Sequence, residues 1–273
     1  MDKDALENWR EAVVKDYPKL SLKDKIRFSC HKELKCFNQC CADVNIFLTP
    51  YDIIRMKKRL KITSDEFLQE YTSSITLDSK RLPAVILKMS NNERKTCPFV
   101  SREGCTIYED RPWSCRMYPI GMASPDKNSG RGLEEFYFVV DIDLPCTGFK
   151  ENKEWTIEEW KENQGADIYD LKGQSYKEVT LHEFFLRGNQ LTSEKSEMFY
   201  MACYNLDKFK RFLFESRFFN VFDIDKDTIE KIRSDDDALL DFGYKWIRFS
   251  LFGEAVIKVK KDILEEKRTA LGL

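Results

Sequence analysis

The sequence predicts a mainly α fold with a small antiparallel β element, in which a loop-rich cysteine cluster packs on a helical layer. Three observations predict it. Eight of the nine cysteines lie between Cys30 and Cys146, in a stretch broken by Pro98, Pro112, Pro119 and Pro125. Helix-capping signals recur within that stretch, at Thr49 and Thr63, and after it, at Thr156. Beyond Gly148 the chain carries long runs free of Gly and Pro, and most of its phenylalanines fall between Phe184 and Phe252. The expected organisation is a cysteine-bearing region, 1–150, and a helical aromatic-rich region, 151–273, packed together as one compact unit.

Residues 1–16 read as an amphipathic helix that stops near Pro18. "TPYDIIRMKKRL" starts a helix with Thr49 as N-cap, Pro50 at the first helical position and Asp52 near the third. "TSDEFLQEY" repeats the signal with Thr63 and Glu66. "LPAVILKM" (82–89) and "EEFYFVVDI" (134–142) read as strands, and pairing them gives the antiparallel element. Between them, 90–133 reads mostly as loop. "TIEEWKENQG" is a capping box ending in glycine, and the stretch from "SEKSEMFYMAC" to "ESRFF" reads as one long helix. "DDDALLDFGYKWIRFSLFG" and "EAVIKVKKDILEEKR" complete the helical part.

A chain of 273 residues has room for a substantial core. Lys and Arg total 45 against 47 Asp and Glu, a net charge of −2. That balance lacks the basic excess of nucleic-acid and membrane-surface proteins, so neither partner is expected. No apolar run approaches the ~20 residues of a membrane span. The first twenty residues are charged throughout and lack the apolar core of a signal peptide, which predicts a cytoplasmic protein. There, thiols stay reduced, and clustered cysteines more often bind metal or do redox chemistry than form disulfides.

The cluster opens with "CFNQCC". If this stretch is helical, Cys36 and Cys40 share a face and Cys41 points about 100° away from Cys40. Cys97, Cys105 and Cys115 follow on loops, with Gly104 permitting a sharp turn before Cys105. Cys146 leaves the end of the second predicted strand. Structural zinc sites typically pair two tight hooks, and only Cys36-x3-Cys40 resembles one. Iron–sulfur clusters accept wider thiolate spacing, so the pattern favours an iron–sulfur cluster over zinc. Eight thiols suffice for two four-ligand sites, or for one site with extra thiols nearby. Arg111 and Arg116 flank Cys115 and are candidates to hydrogen-bond ligand sulfurs. His31, beside Cys30, is an alternative ligand to it. Cys203, within "FYMACYNL", reads as a core thiol. His182 and Glu183 are adjacent and share no helical face, so His182 reads as structural. No dinucleotide-binding, P-loop, nucleophile-elbow or zinc-protease motif is present.

"CFNQCC", then "CPFVSREGCTIYEDRPWSCRMYPIG", then "PCTG" resembles the YkgJ-like cysteine-cluster proteins of CxxCxxCC type. The resemblance spans about residues 28–150 and rests on Cys36, Cys40, Cys41, Cys97, Cys105, Cys115 and Cys146, with the Arg111–Pro112 and Tyr118–Pro119 pairs. It implies that those cysteines chelate zinc or iron. A similar cluster occurs in the flagellin lysine-N-methylase family, which points to methyl transfer as one use. Cys30 stands six residues before Cys36, wider than that pattern commonly has, and completes the set of candidate ligands. The expectation is a metal-bound cysteine cluster with a redox or protein-modification role. The alternative is a non-catalytic interaction module stapled by structural zinc, whose helical part docks a protein partner. Whether the chain is an enzyme is left open by the sequence.

Overall fold

The computed structural model describes residues 12–13, 16–77, 81–123, 135–140 and 146–270. The fold is mainly α with small antiparallel sheets of two or three strands. Most of the predicted N-terminal helix lies outside the described residues; positions 12, 13 and 16 are helical. The chain divides into two compact units. The first comprises 1–59, 71–75 and 84–173, and the second 60–70, 76–83 and 174–273.

In the first unit, helix Pro50–Leu60 begins where the sequence places it. The Asp52 carboxylate accepts from the Thr49 backbone N–H and hydroxyl, both at 2.7 Å, and the Asp52 N–H donates to the Thr49 hydroxyl at 3.2 Å. These reciprocal bonds satisfy donors that a helix start leaves without an intrahelical partner. Further along, helix Ile157–Gln164 has a complete capping box between Thr156 and Glu159 and ends on Gly165 in the left-handed conformation.

The two predicted strands exist but do not pair with each other. Leu82–Leu87 forms the centre of a three-stranded sheet between Phe47–Leu48 and Thr72–Leu77. Phe136–Val139 pairs instead with Ile120–Ala123. The segment read as loop therefore holds real structure: a short hairpin (Val100–Ser101 with Gly104–Cys105), helix Trp113–Met117, and strand Ile120–Ala123. Short polar-rich strands of two to four residues carry too little alternation to be legible alone. Near the chain start, Lys25–Arg27 pairs with Glu154–Thr156.

The core of this unit collects Ile26, Phe28, Met117, Ile120, Tyr137, Ile157 and Trp160. Phe28 lies 5.8, 5.3 and 5.5 Å from the rings of Tyr118, Phe149 and Trp160, all edge-on, the favoured aromatic arrangement. Cys146 and Tyr118 pack against its edge.

The second unit is helical with an aromatic core, as its composition predicts. Phe218 contacts Phe222 at 4.6 Å, Trp246 at 5.1 Å and Phe242 at 6.0 Å. The long helix expected over 193–219 is in fact broken: Ser193–Cys203 and Leu206–Glu215 are separate, followed by a short turn of helix, Phe218–Val221. Asn205 makes the break, its side chain capping the second helix by accepting from Lys208 N at 3.1 Å. Asn competes for backbone hydrogen bonds and so favours caps over helix interiors. Helix Asp236–Phe252 ends on Gly253 as read. The last predicted helix is shorter than expected. Lys258–Val259 pairs with Phe222–Asp223, and only Lys261–Ala270 is helical. His182 is structural, accepting from Phe184 N at 3.1 Å and stacking on Phe252 at 3.9 Å.

Candidate metal centre

From Cys30 to Cys41 the chain is a succession of tight turns. Leu34 N donates to His31 O, Phe37 N to Leu34 O, Gln39 N to Cys36 O, and Cys41 N to Asn38 O, at 2.9 to 3.2 Å. All four span three residues. Asn38 has φ 64°, a left-handed conformation that asparagine tolerates, and Gln39–Cys41 is 3₁₀. The stretch is therefore not α-helical, and Cys36 and Cys40 are not one α-turn apart. In 3₁₀ geometry successive residues are rotated by about 120°, and here the Cys40 and Cys41 thiols still meet in a hydrogen bond.

One surrounding is formed with the chain around Cys146. Ser29 N donates to Gly148 O at 3.1 Å, and Thr147 N donates to the Cys36 sulfur at 3.3 Å. The Thr147 hydroxyl lies 3.0 Å from the same sulfur. Close approach here requires glycine: a Cβ on Gly148 would sit 2.6 Å from the Ser29 carbonyl and 2.8 Å from the Phe28 ring. Burial works against the Cys36 thiolate. Donors from the Thr147 hydroxyl and amide, Cys146 and Gly148 outweigh it, and the thiol is held below its ordinary range. Cys30 is pushed up to about 11 by burial, then by the neighbouring Cys40, Cys146 and Cys36. Tyr118 is raised by burial and by Cys146, Cys40 and Cys36. Its buried hydroxyl lies beside the Cys146 thiol.

The second surrounding is built on Cys41. Cys97 N donates to Cys41 O at 2.7 Å, beside an antiparallel bridge between Ala42 and Thr96. Val100 N donates to Cys97 O at 3.2 Å, and Val100 stands opposite Cys105 in the hairpin. Gly104, at φ 119°, makes that turn as the sequence predicts. Cys115 arrives on helix Trp113–Met117. Its thiol is pushed up by the protein around it, then by Cys97, Cys105 and Asp52, with Arg111 opposing. Cys115 nevertheless keeps solvent exposure. Cys97 and Cys105 are raised chiefly by burial. Cys40 and Cys41 share one hydrogen bond. It lowers Cys40 to about 7 and raises Cys41, which also feels burial, Cys115 and Cys97.

The helix bearing Cys115 is held at several points. Trp113 N donates to Asp52 at 2.8 Å and its indole N–H to Asp170 at 2.7 Å. Arg55 bonds Asp110 at 2.6 and 2.9 Å. Arg116 donates to the carbonyls of Arg111 at 3.1 Å, Gln164 at 2.8 Å and Glu109. Arg111 donates to Tyr108 O and Gln164 Oε1, and its field reaches Cys115 and Cys105. These hydrogen bonds go to oxygens, with Arg111 acting on the sulfurs of Cys105 and Cys115 through its charge. His31 pairs with Glu33 at 2.6 Å and Glu151 at 3.4 Å. Cys203 is fully buried in the second unit, a core thiol. The bond from Thr147 to the Cys36 sulfur and the second role of Asp52, accepting from Trp113 N, are not legible in the sequence, which places Asp52 only at its own helix start.

All nine cysteines are free thiols. Among the described residues, no group of three or more His, Cys, Asp or Glu side chains stands in a geometry that would itself hold a metal ion. The donor chemistry nevertheless suits a thiophilic metal. Burial raises Cys30 and Cys115 most, and neighbouring thiols add to it through like charge, a repulsion that a cation among them would relieve. The residues fit such a group by chemistry and neighbourhood, with the final approach of the sulfurs left to the ion.

No curated protein and no solved structure matches the chain. Residues 29–135 match the model of the CxxCxxCC family, described as a putative zinc- or iron-chelating domain. The match takes in every cysteine from Cys30 to Cys115 and leaves Cys146 outside it. Over 29–135 the chain is similar to the CxxCxxCC family.

Proposed function

We propose that the first unit is a metal centre whose thiols bind iron–sulfur, with electron transfer or redox sensing as its role. One observation carries the reading: hydrogen bonds bring separate free-thiol stretches together, Ser29 N to Gly148 O, Thr147 N to the Cys36 sulfur and Cys97 N to Cys41 O. Such a gathering of like-charging groups costs stability without a cation to relieve it. The wide ligand spacing, with no second short hook, favours iron–sulfur over zinc. Cys30, Cys36, Cys40, Cys41, Cys97, Cys105, Cys115 and Cys146 are the ligands, and Arg111 tempers the negative charge near Cys105 and Cys115. Free thiols in this number suit a reducing compartment such as the cytoplasm. When bound, the group supplies one-electron chemistry. The chain's own part is to hold the thiols together and to donate hydrogen bonds to the Cys36 sulfur.

The test is anaerobic purification with metal and acid-labile sulfide analysis. The expected product is brown, carries iron and sulfide in equal amounts, and bleaches with dithionite. A colourless protein with stoichiometric zinc overturns the iron–sulfur assignment and supports a stapled interaction module. A protein that takes up neither metal overturns the reading.

A further inference from the structure

We infer that Cys36 and Cys146 form a reversible disulfide switch, in which a peroxide oxidises Cys36 and Cys146 resolves it. Two thiols suffice for it and no metal takes part, so it stands independently of the metal-binding reading above.

The Cys36 sulfur is where the geometry points. The Thr147 backbone N–H donates to it at 3.3 Å, and the Thr147 hydroxyl stands 3.0 Å from it. Thr147 N is bonded to the Cys146 carbonyl carbon, which puts the Cys146 Cα within about 6 Å of the Cys36 sulfur. The Cys146 thiol itself hydrogen-bonds that sulfur, so the two side chains are in contact in the reduced chain. Ser29 N to Gly148 O, at 3.1 Å, fastens the same two stretches of backbone. Both cysteines keep partial solvent exposure, which admits a small oxidant.

Cys40 and Cys41 also hydrogen-bond each other, but they make a poorer pair. Neighbouring Cα atoms stand about 3.8 Å apart across a trans peptide, short of the roughly 4.4 to 6.8 Å that disulfides span. Cys36 and Cys146 escape that restraint, being distant in the chain and brought together by the fold. Thr147 also gives Cys36 the role of attacking sulfur, since donors aimed at a sulfur favour the thiolate that reacts.

The Cys36 thiolate attacks one oxygen of hydrogen peroxide. An S–O bond forms, the O–O bond breaks, and the departing hydroxide takes up the proton that Cys36 had lost. Cys36 is then a sulfenic acid. The Cys146 sulfur attacks the Cys36 sulfur, an S–S bond forms and the S–O bond breaks. The second hydroxide takes the Cys146 proton and leaves as water. The two thiols lose two electrons, and one peroxide gains them to become two waters. A small thiol reverses the step by exchange, as suits a reducing compartment, where disulfides are transient and sensing. Closing the disulfide withdraws two thiols from the cluster.

The full chain, purified under argon with its thiols reduced, is treated with one equivalent of hydrogen peroxide, alkylated, and mapped by peptide mass spectrometry. The expected first product is a Cys36–Cys146 disulfide that dithiothreitol reverses. A first disulfide elsewhere, at Cys40–Cys41 or on Cys30, overturns the inference. Oxidation that leaves Cys36 and Cys146 as free thiols, or takes Cys36 to a sulfinic acid, overturns it too. In Cys146→Ser, dimedone is expected to trap sulfenic acid at Cys36. Thr147→Val keeps the amide donor and removes the hydroxyl. It is expected to slow closure about fivefold, the worth of one net hydrogen bond, while Thr147→Ser closes at the wild-type rate. Equal rates in all three overturn the part given to Thr147. Where a variant does not fold, the wild-type map decides. Metal content of the same preparation reports on the metal-binding reading separately. A metal-free chain that closes this disulfide sinks that reading and sustains the switch, and a metal-loaded chain whose two thiols stay reduced does the reverse.

Discussion

Asp52 and Trp113, 61 residues apart in sequence, are joined by a 2.8 Å hydrogen bond from the Trp113 backbone N–H to a carboxylate with no solvent exposure. The same carboxylate caps its own helix through Thr49. One buried side chain therefore seats two helix starts, and the second carries Cys115 two residues on. Asp52→Ala leaves the Trp113 and Thr49 donors without their acceptor and is expected to cost about 2 to 4 kcal/mol in urea unfolding. Metal content is expected to fall with it.

The pH dependence of the same residue has a definite sign. Burial raises Asp52 from 3.8 to about 6, against opposing hydrogen bonds from Trp113 and Thr49. The folded chain therefore holds this proton to higher pH than the unfolded chain. Its contribution to stability is greatest below the unfolded value and declines as pH rises from about 4 to about 6. Asp52→Asn is expected to remove that slope from unfolding free energies measured across this window; an unchanged slope assigns it to another group.

Gly148→Ala places a methyl group 2.6 Å from the Ser29 carbonyl. Backbone atoms there have little room to yield, so a loss of about 1 to 3 kcal/mol is expected in chemical unfolding. The strap to Cys36 loosens with it, and metal uptake weakens.

Asn205 accepts from the Ser64 hydroxyl at 3.0 Å and donates to Asp65 at 2.8 Å while capping helix Leu206–Glu215. Asn205→Ala is expected to destabilise by about 1 to 3 kcal/mol in thermal or urea unfolding. Metal content per folded chain is expected to stay the same.

Cys203 serves as the internal control. It is fully buried, and its thiol is pushed up by burial alone. Cys203→Ser buries a hydroxyl among apolar neighbours and is expected to cost about 1 to 3 kcal/mol. Bound metal measured by atomic emission is expected to be unchanged, in contrast to serine at Cys36 or Cys105.

Elements whose causes are local were legible residue by residue. The capping pairs Thr49/Asp52, Thr63/Glu66 and Thr156/Glu159 stand where the sequence puts them, because a cap is a contact three residues long. Asn205 shows where local reading fell short. The apolar spacing of 193–219 suits one helix, but the Asn205 side chain has distant partners in Ser64 and Asp65 that make breaking it worthwhile. The strands Leu82–Leu87 and Phe136–Val139 were found, while their partners were not, since pairing depends on residues brought near by the rest of the fold.

By itself the sequence determined that the chain is mainly helical, that its second half has an aromatic core, and that its clustered thiols lie in a segment similar to a zinc- or iron-chelating family. Only the tertiary structure decided which sulfurs are neighbours. Cys36 and Cys146 lie more than a hundred residues apart, yet Thr147 reaches the Cys36 sulfur. The adjacent Cys40 and Cys41 stand in a 3₁₀ turn with their thiols hydrogen-bonded to each other. Sequence spacing records distance along the chain, whereas ligation depends on distance through space, and the hydrogen bonds at Gly148, Cys97 and Asp52 are what convert one into the other.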